Sequence, residues 1–494
     1  MSSPRTFSIF TLGCKVNQYE TEQLAALLRS RGLQQVEPRE QADLRIVNTC
    51  SVTTEAGAKS RHAVRRAARL QVPENPPRVL VTGCWATSDT REAKGMHGVD
   101  EVLTHHDDVA SELDRLLDRW QSPTHQSLAQ ELCGDEGSIN QPDCTPGARF
   151  VQLHVNKPHD PTRVKRKLES AAEIVGTRSL PLLGERQASH QRAFLKIQDG
   201  CDAHCTYCII PQLRTNLWSK PISQTVEEAR RLVAAGHHEI VLTGIFLGAY
   251  GQPTALRRRQ PFDTAKPLGE LVRALCTSVP GLRRLRLSSL EPGDLTEQLL
   301  SVLKSHQQVV PHFHLPLQSG SDRILRRMNR QYTRGQFLEM VEMVRSSFGR
   351  PAITTDIIVG FPGESEDDFE RTMEVVEHAK FIHIHAFGFS PRPGTAAARW
   401  EREFVPAAIA TTRIRELERR AAQHSLAYRQ QFVGETVELI VERQATPSPT
   451  QHGRCDRYFD VHFEHPEPLR GRIVCARIDR VTPTRTHGTV VNLT

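Results

Sequence analysis

The stretch Gln198–Pro211, QDGCDAHCTYCIIP, places Cys201, Cys205 and Cys208 within eight positions. Three thiolates on one tight loop can hold a metal centre, yet a closed tetrahedral site needs four ligands. A four-iron cubane resolves the mismatch. Three thiolates leave one iron without a protein ligand, and that iron can chelate a small molecule. The rival is zinc, with His204 as fourth ligand, although His204 lies inside the loop where the geometry is poor.

The loop follows an apolar run, AFLKIQ, that reads as a strand and begins a series. HEIVLTG, RRLRLSS, PHFHLPL, AITTDIIVG and FIHIHAFGF read as further strands, separated by stretches with apolar residues at helical spacing. Six strand–helix repeats fall short of the eight in a full barrel. A polar insertion, QPTALRRRQPFDTAKP, follows the second strand.

The first third repeats the alternation. FSIFTLGC, LRIVNTC and RVLVTGC are strands ending at Cys14, Cys50 and Cys84. The helix after the first has Asn17 as its expected N-cap and Gly32 as its stop. Alternating strands and helices imply a parallel sheet, and ligands of such sheets bind beyond the strands' carboxyl ends. Three neighbouring strands would gather three thiolates around one point.

The chain of 494 residues is too long for one core. The expected fold class is α/β: an N-terminal parallel-sheet α/β domain (1–120), a linker or insertion (121–191, partly mobile, with the basic run RVKRK), a partial (β/α)6 barrel (192–432), and a small all-β barrel (433–494). Eleven cysteines in a reducing compartment suit metal or catalytic use rather than disulfides. Cys133, Cys144, Cys276, Cys455 and Cys475 read as buried small hydrophobes or surface thiols. No apolar run reaches bilayer length and no secretory signal is evident, so a cytoplasmic location with no membrane partner is expected. A net charge of +7 leans mildly toward polyanions.

C-x3-C-x2-C opening a partial barrel resembles the radical S-adenosylmethionine superfamily. The resemblance implies that the open iron binds the cofactor's methionine end, that reductive cleavage yields a 5′-deoxyadenosyl radical, and that Tyr207 lies against adenine. TLGCKVNQYETE, NTCSVT, TGC, GCDAHCTYCIIP, RLSSLEP, HFHLPLQSGSDRILRRMNRQYT, TDIIVGFPGE and FSPRPGTAA resemble blocks of the methylthiotransferase family. The last segment resembles its TRAM module. The resemblance covers nearly all of the chain except roughly 121–191 and 252–266.

It implies two 4Fe–4S clusters, on Cys201, Cys205 and Cys208 and on Cys14, Cys50 and Cys84. One S-adenosylmethionine would donate a methyl group to sulfur on the second cluster, and another would be cleaved to attack the base. Gly244, Glu291, Gln318, Ser319, Asp356 and Gly360 are the further cofactor-binding candidates; Pro362 and Gly363 shape a turn. GCKVNQYETE resembles the branch that modifies C2 of N6-threonylcarbamoyladenosine at tRNA position 37, since the other branches carry different residues after the cysteine. Those branches, acting on isopentenyladenosine or a ribosomal-protein aspartate, are the alternatives, with a non-catalytic iron–sulfur RNA-binding protein as a third. A monomer, a tRNA substrate and a flavodoxin or ferredoxin electron donor are implied.

One departure stands out. Where the family continues with YARG and RSR, this chain has QLRTNLWSKP, with Arg214 and Lys220 keeping charge and Thr215 replacing glycine. Lysine replaces arginine poorly where a planar fork is needed, which places local substrate contacts in doubt. His312, His314, His383 and His385 read as packed or hydrogen-bonded. Lys59, Arg61, Arg65, Arg66, Arg69, Arg415, Arg419 and Arg420 are candidates for phosphate contact.

Overall fold

The computed structural model describes residues 4–69, 77–121, 180–185, 191–256, 266–442 and 448–493. Most of the 121–191 stretch, with RVKRK, Cys133 and Cys144, lies outside them.

Five parallel strands form the first sheet in the order β2-β1-β3-β4-β5: β1 (Thr6–Thr11), β2 (Gln34–Gln35), β3 (Leu44–Thr49), β4 (Arg78–Gly83) and β5 (Glu101–Val102). Alternation sends Ile46 and Leu80 into one apolar layer with Leu24, Leu28 and Leu113, and Val47, Val79 and Val81 into another with Val64 and Trp85. Both faces are thus covered, which is why the strands read as near-continuous apolar runs.

The helix Lys15–Ser30 stops before Gly32, whose φ of +85° suits glycine. Asn17 is not its N-cap. Cys14 holds that position without a side-chain cap bond, because the chain enters the helix directly from the turn at Gly13. Asn17 instead sits buried in the first turn and donates to the carbonyls of Leu12 and Thr49, at 2.9 Å each.

The central unit contains all six expected strands: β6 (Ala193–Asp199), β8 (Glu239–Gly244), β9 (Arg284–Leu287), β10 (His312–His314), β11 (Ala352–Val359) and β12 (His383–Gly388). A two-residue strand, β7 (Trp218–Ser219), adds antiparallel to β6. The β7-β6-β8-β9 and β10-β11-β12 sheets meet at a parallel bridge between Leu285 and Val309, giving an open curved wall rather than a closed barrel. Leu242, Leu285, Phe313, Ile357 and Ile384 pack outward into the large core. The opposite parity is polar, with Lys196, Arg286, His312, His314 and Asp356 turned to the concave side.

The last unit is a closed barrel in the order β13-β14-β15-β17-β16, built from β13 (Thr436–Val441), β14 (Thr450–Cys455), β15 (Asp460–Glu464), β16 (Ile473–Val481) and β17 (Thr486–Leu493). Closure removes free sheet edges from a small module. Phe432, just past the long helix Ala407–Gln430, joins its core. Among the described residues no helix is long and apolar enough to cross a membrane.

Candidate active site

Cys14, Cys50 and Cys84 follow β1, β3 and β4, which are adjacent in the sheet. Asn17 fastens these ends together. Besides its two carbonyl contacts, its Oδ1 lies 4.0 Å from the Sγ atoms of both Cys14 and Cys84. Ser60 clamps Cys50, accepting from its N–H at 3.0 Å and donating to its carbonyl at 2.8 Å. Gly83, at φ +95°, makes the turn into Cys84; a Cβ there would sit 2.5 Å from the Thr49 carbonyl oxygen. Cys14 is exposed, whereas Cys50 and Cys84 are buried. Burial, aided by the neighbouring thiols and opposed by Arg214, pushes Cys84 up to about 12.

The second triad starts at another tight turn. Gly200 has φ +78°, and a Cβ there would lie 2.1 Å from the Asn216 carbonyl oxygen. Burial pushes Cys201 and Cys208 up to about 12 and raises Cys205. The Arg330 Nη1 donates to Cys205 Sγ at 3.1 Å and to the Tyr207 hydroxyl at 3.4 Å, while its Nη2 binds Glu291. Sequence reasoning passed over Arg330, although it stands within the quoted block HFHLPLQSGSDRILRRMNRQYT; nothing in its spacing marks it off from the other arginines there. The two triads adjoin: Cys84 packs against Ile209 and Leu213, directly beyond Cys208.

The spread of the thiols tests which centre they fit. Among the described residues, the set of three potential ligand atoms lying within 4.8 Å of one another is His314, Asp356 and His385. Neither cysteine triad contracts that far, with or without His204. Zinc–sulfur bonds of about 2.3 Å in a tetrahedron hold sulfurs under about 4 Å apart. A cubane, whose irons each take one thiolate, needs the wider spacing. His204 is exposed, at φ +52°. The spread of both triads is wider than a single zinc ion needs, and three thiolates at each make the donor set that an iron–sulfur cluster takes.

The remaining candidates divide. Tyr207 is half-buried, edge-on to Phe361 with ring centroids 6.4 Å apart. Glu291 is beside the second triad through Arg330. Gly244 makes room for Gln198, whose side-chain amide ties the cysteine loop by donating to the carbonyls of Asp199 and Gly200 at 2.9 and 2.8 Å. Gln318 takes φ +62° and bridges to Ile357 of β11. Ser319 is fully buried and accepts from the Ser321 N–H. Asp356 accepts from His314 at 3.1 Å on the concave side. Gly360 lies apart from this group, against Ala410 of the long helix.

The departing segment has a structural role. Arg214 binds both oxygens of Glu20 at 2.8 Å and reaches Asp199 at 2.9 Å, in a cluster completed by Lys196. Lys220 pairs with Glu228, and both bind the Tyr19 hydroxyl at 2.7 Å. Both cations therefore dock the helix Lys15–Ser30 onto the central unit. The doubt about substrate contacts does not apply to these side chains, because they are buried in ion pairs.

Tyr458, from the β14–β15 turn, reaches under the curved wall. It stacks on His312 with centroids 4.4 Å apart, and the guanidinium carbons of Arg454, Arg286 and Arg192 lie 4.7, 5.0 and 5.4 Å from its ring centre. His312 and His314 both bond to Thr354, as expected of packed histidines, while His383 and His385 are exposed. Of the phosphate candidates, Lys59, Arg61, Arg419 and Arg420 pair with acidic neighbours; Arg65, Arg66, Arg69 and Arg415 are exposed.

Residues 195–376 match the profile described as the radical SAM superfamily, and residues 6–104 that of an uncharacterized protein family, UPF0004. The chain is 33% identical to the threonylcarbamoyladenosine tRNA methylthiotransferase MtaB of Bacillus subtilis, over 96% of this chain and 93% of that one. The MtaB of Thermotoga maritima is 34% identical, covering 89% and 87%. A tRNA-2-methylthio-N(6)-dimethylallyladenosine synthase of Erythrobacter litoralis is 30% identical, with 89% and 87% covered. Among solved structures, the radical S-adenosylmethionine methyltransferase TsrM of Kitasatospora setae, with cobalamin and a 4Fe–4S cluster bound, superposes with a TM-score of 0.53 at 14% identity, covering 81% of this chain and 74% of that one. That likeness is one of fold.

Proposed function

Since the chain belongs to the radical S-adenosylmethionine tRNA methylthiotransferase family, we propose that its substrate is N6-threonylcarbamoyladenosine at position 37 of tRNA, methylthiolated at C2. Membership itself makes it an enzyme that transfers a methylthio group to tRNA with S-adenosylmethionine and a 4Fe–4S cluster. The observation supporting methylthio transfer between two centres is the contact of Cys84 with Ile209 and Leu213, which joins one thiol triad to the loop of the other.

Cys201, Cys205 and Cys208 would hold the cluster that binds S-adenosylmethionine, and Cys14, Cys50 and Cys84 a second one. When bound, these groups supply radical chemistry at an unactivated aromatic C–H and the sulfur to be transferred. The chain's own side chains do the rest. Arg330 donates to Cys205 Sγ and fixes Glu291, which presents carboxylate oxygen for ribose hydroxyls. Tyr207, braced by Phe361, offers an aromatic flank for adenine. Ile209 and Leu213 set apolar side chains against Cys84, where the two thiol loops meet. An electron donor of flavodoxin or ferredoxin type, a monomeric chain and a cytoplasmic location complete the proposal.

The threonylcarbamoyl choice rests on GCKVNQYETE and on two such relatives at 33% and 34% identity. Nucleoside mass spectrometry of tRNA from cells lacking the gene tests it. Loss of the methylthio form of threonylcarbamoyladenosine supports the reading; loss of the methylthio dimethylallyl nucleoside instead overturns it.

A further inference from the structure

The cover over the first sheet is incomplete at β1. A helix joins β1 to β2, but β2 and β3 are joined past β1 by a short connection, 36–43, with no helix in it. Parallel strands are usually linked by a helical crossover, and here its absence leaves a cleft of about 660 Å³. Alternation sets the floor. Phe7 and Ile9 point into the layer under the helix Lys15–Ser30, so Ser8 and Phe10 point the other way, paired in register with Arg45 and Val47 of β3. One wall is the helix Thr54–Arg69, which presents Lys59, His62, Ala63, Arg66 and Ala67 along one face. Pro38 and Arg39 of the connection form the other. Phe10 is left 43% exposed.

Arg45 is the unusual member. It is only 5% exposed, its Nη2 donates to the Glu40 carbonyl at 3.2 Å, and its Nε is buried without a partner. No carboxylate among the described residues pairs with it. A buried guanidinium whose partner is one neutral carbonyl is under-compensated, and an anion entering the cleft would complete it. The rim repeats the charge. Arg39 and Arg66 are exposed and have no ion pair among the described residues, and Arg65 and Arg69 continue the row on the same helix. Among the described residues, Glu37 is the acid lining the cleft.

An aromatic ring on the floor, a buried cation two residues along and more cations on the rim make a site for an unstacked nucleotide: the ring takes the base and the cations take phosphate. The row of arginines beyond the cleft favours a nucleotide within a longer strand, since a free one needs a single phosphate contact. The helix also relates the cleft to the rest of the molecule. Its first residue, Thr54, bonds Ser390 of the central unit, Oγ1 to Oγ at 2.6 Å, and Arg66 lies twelve residues further, about 18 Å along the axis. We propose that this cleft is an RNA subsite, in which Phe10 stacks on an unpaired base of the substrate tRNA while Arg45 and Arg66 bind the phosphates beside it. The inference rests on tRNA as the substrate and is independent of the group that the modified adenosine carries on N6.

The experiment measures binding of the cluster-reconstituted full chain to an unmodified tRNA transcript over a range of salt concentrations. In Phe10→Ala the dissociation constant is expected to rise about tenfold at every salt concentration, with the slope of log Kd against log salt unchanged, because stacking releases no counter-ions. In Arg66→Met the slope is expected to fall by about one, the loss of one phosphate contact. Arg45→Met is expected to lower the slope likewise. Phe10 and Arg66 are exposed, so those two variants carry the test even where Arg45→Met fails to fold. A poorly folded variant lowers the active fraction, which titration at saturating protein reads separately, and leaves the slope alone. Phe10→Ala that binds tRNA within about twofold of wild type overturns the proposal, and so does an unchanged slope in Arg66→Met. Adenosine monophosphate that binds wild type and is lost from Phe10→Ala, with tRNA binding intact, also overturns it, since the cleft then serves a free nucleotide. The transcript carries no N6 group, so failure of the threonylcarbamoyl reading leaves these results untouched.

Discussion

Replacing Arg214 by methionine tests how the two thiol triads are held in register. Arg214 is about 1% exposed and sits between Glu20, on the helix behind Cys14, and Asp199, two residues before Cys201. Asp199 also accepts from the Gly200 N–H at 2.9 Å, so the same carboxylate shapes the turn into the cysteine loop. With Lys196, the group balances two positive charges against two negative ones. Methionine preserves much of the volume but leaves two buried carboxylates facing one ammonium. Breaking a buried pair by removing one partner costs about 3–5 kcal/mol. The helix Lys15–Ser30 is the element this cluster docks, so its opening should become easier by that amount. Native-state amide exchange of the helix is then expected to speed up by about two to three and a half orders of magnitude.

Adding Glu20→Gln should recover part of the loss, since contacting groups are not additive. The pH dependence has a definite sign. Burial raises Glu20, but Arg214 and Lys196 outweigh it and hold its carboxyl well below the ordinary 4.5. Its contribution is fully present above that value and is lost as pH falls toward the depressed native one. Exchange within about threefold of wild type in Arg214→Met would refute the assignment of this cluster as the joint.

Tyr458 should be the first of the six tyrosines to ionise. Burial raises it, yet Arg192, Lys15 and Arg454 together bring it down to about 8, while the other five are all raised. An ultraviolet titration should show one phenolate near pH 8 that Tyr458→Phe abolishes; because the native value is depressed, this group adds stability as pH rises from about 8 to 10. Gly83→Ala forces a Cβ to within 2.6 Å of three Asn48 and Thr49 atoms at a positive φ, so reconstituted protein should carry about half the iron yet still cleave S-adenosylmethionine. Full iron content would count against that turn's importance. Arg330→Met removes a cation 3.1 Å from Cys205 Sγ, so the cluster there should be harder to reduce; an unshifted midpoint in an electron paramagnetic resonance titration would contradict this.

Much of this organisation is legible in the residues themselves. Apolar alternation marks the six strands of the central wall, and the three glycine- or threonine-led cysteines mark the ends of β1, β3 and β4. Two-residue strands such as β2, β5 and β7 leave no periodic signal, because period two needs several repeats to register. Asn17 shows why local rules fail near a site. Its type and place suit a helix cap, but its side chain serves Leu12 and Thr49, far apart in sequence and brought together by the sheet.

The same logic explains the segment QLRTNLWSKP. Along the chain, Arg214 and Lys220 look like degraded substrate contacts. In space, each faces an acid that sequence distance or helix geometry hides, Glu20 in one case and Glu228 in the other. The tyrosine between them, Tyr19, belongs to the first unit and is buried in the core of the second. A charge at this position is therefore tied to docking, and docking to chemistry, because the helix that Arg214 holds begins at the residue after Cys14. Loosening that helix would move one thiol triad against the other without touching any ligand. A defect in methylthio transfer that leaves iron content and S-adenosylmethionine cleavage intact is the signature expected of such a displacement, and it separates a misplaced cluster from a missing one.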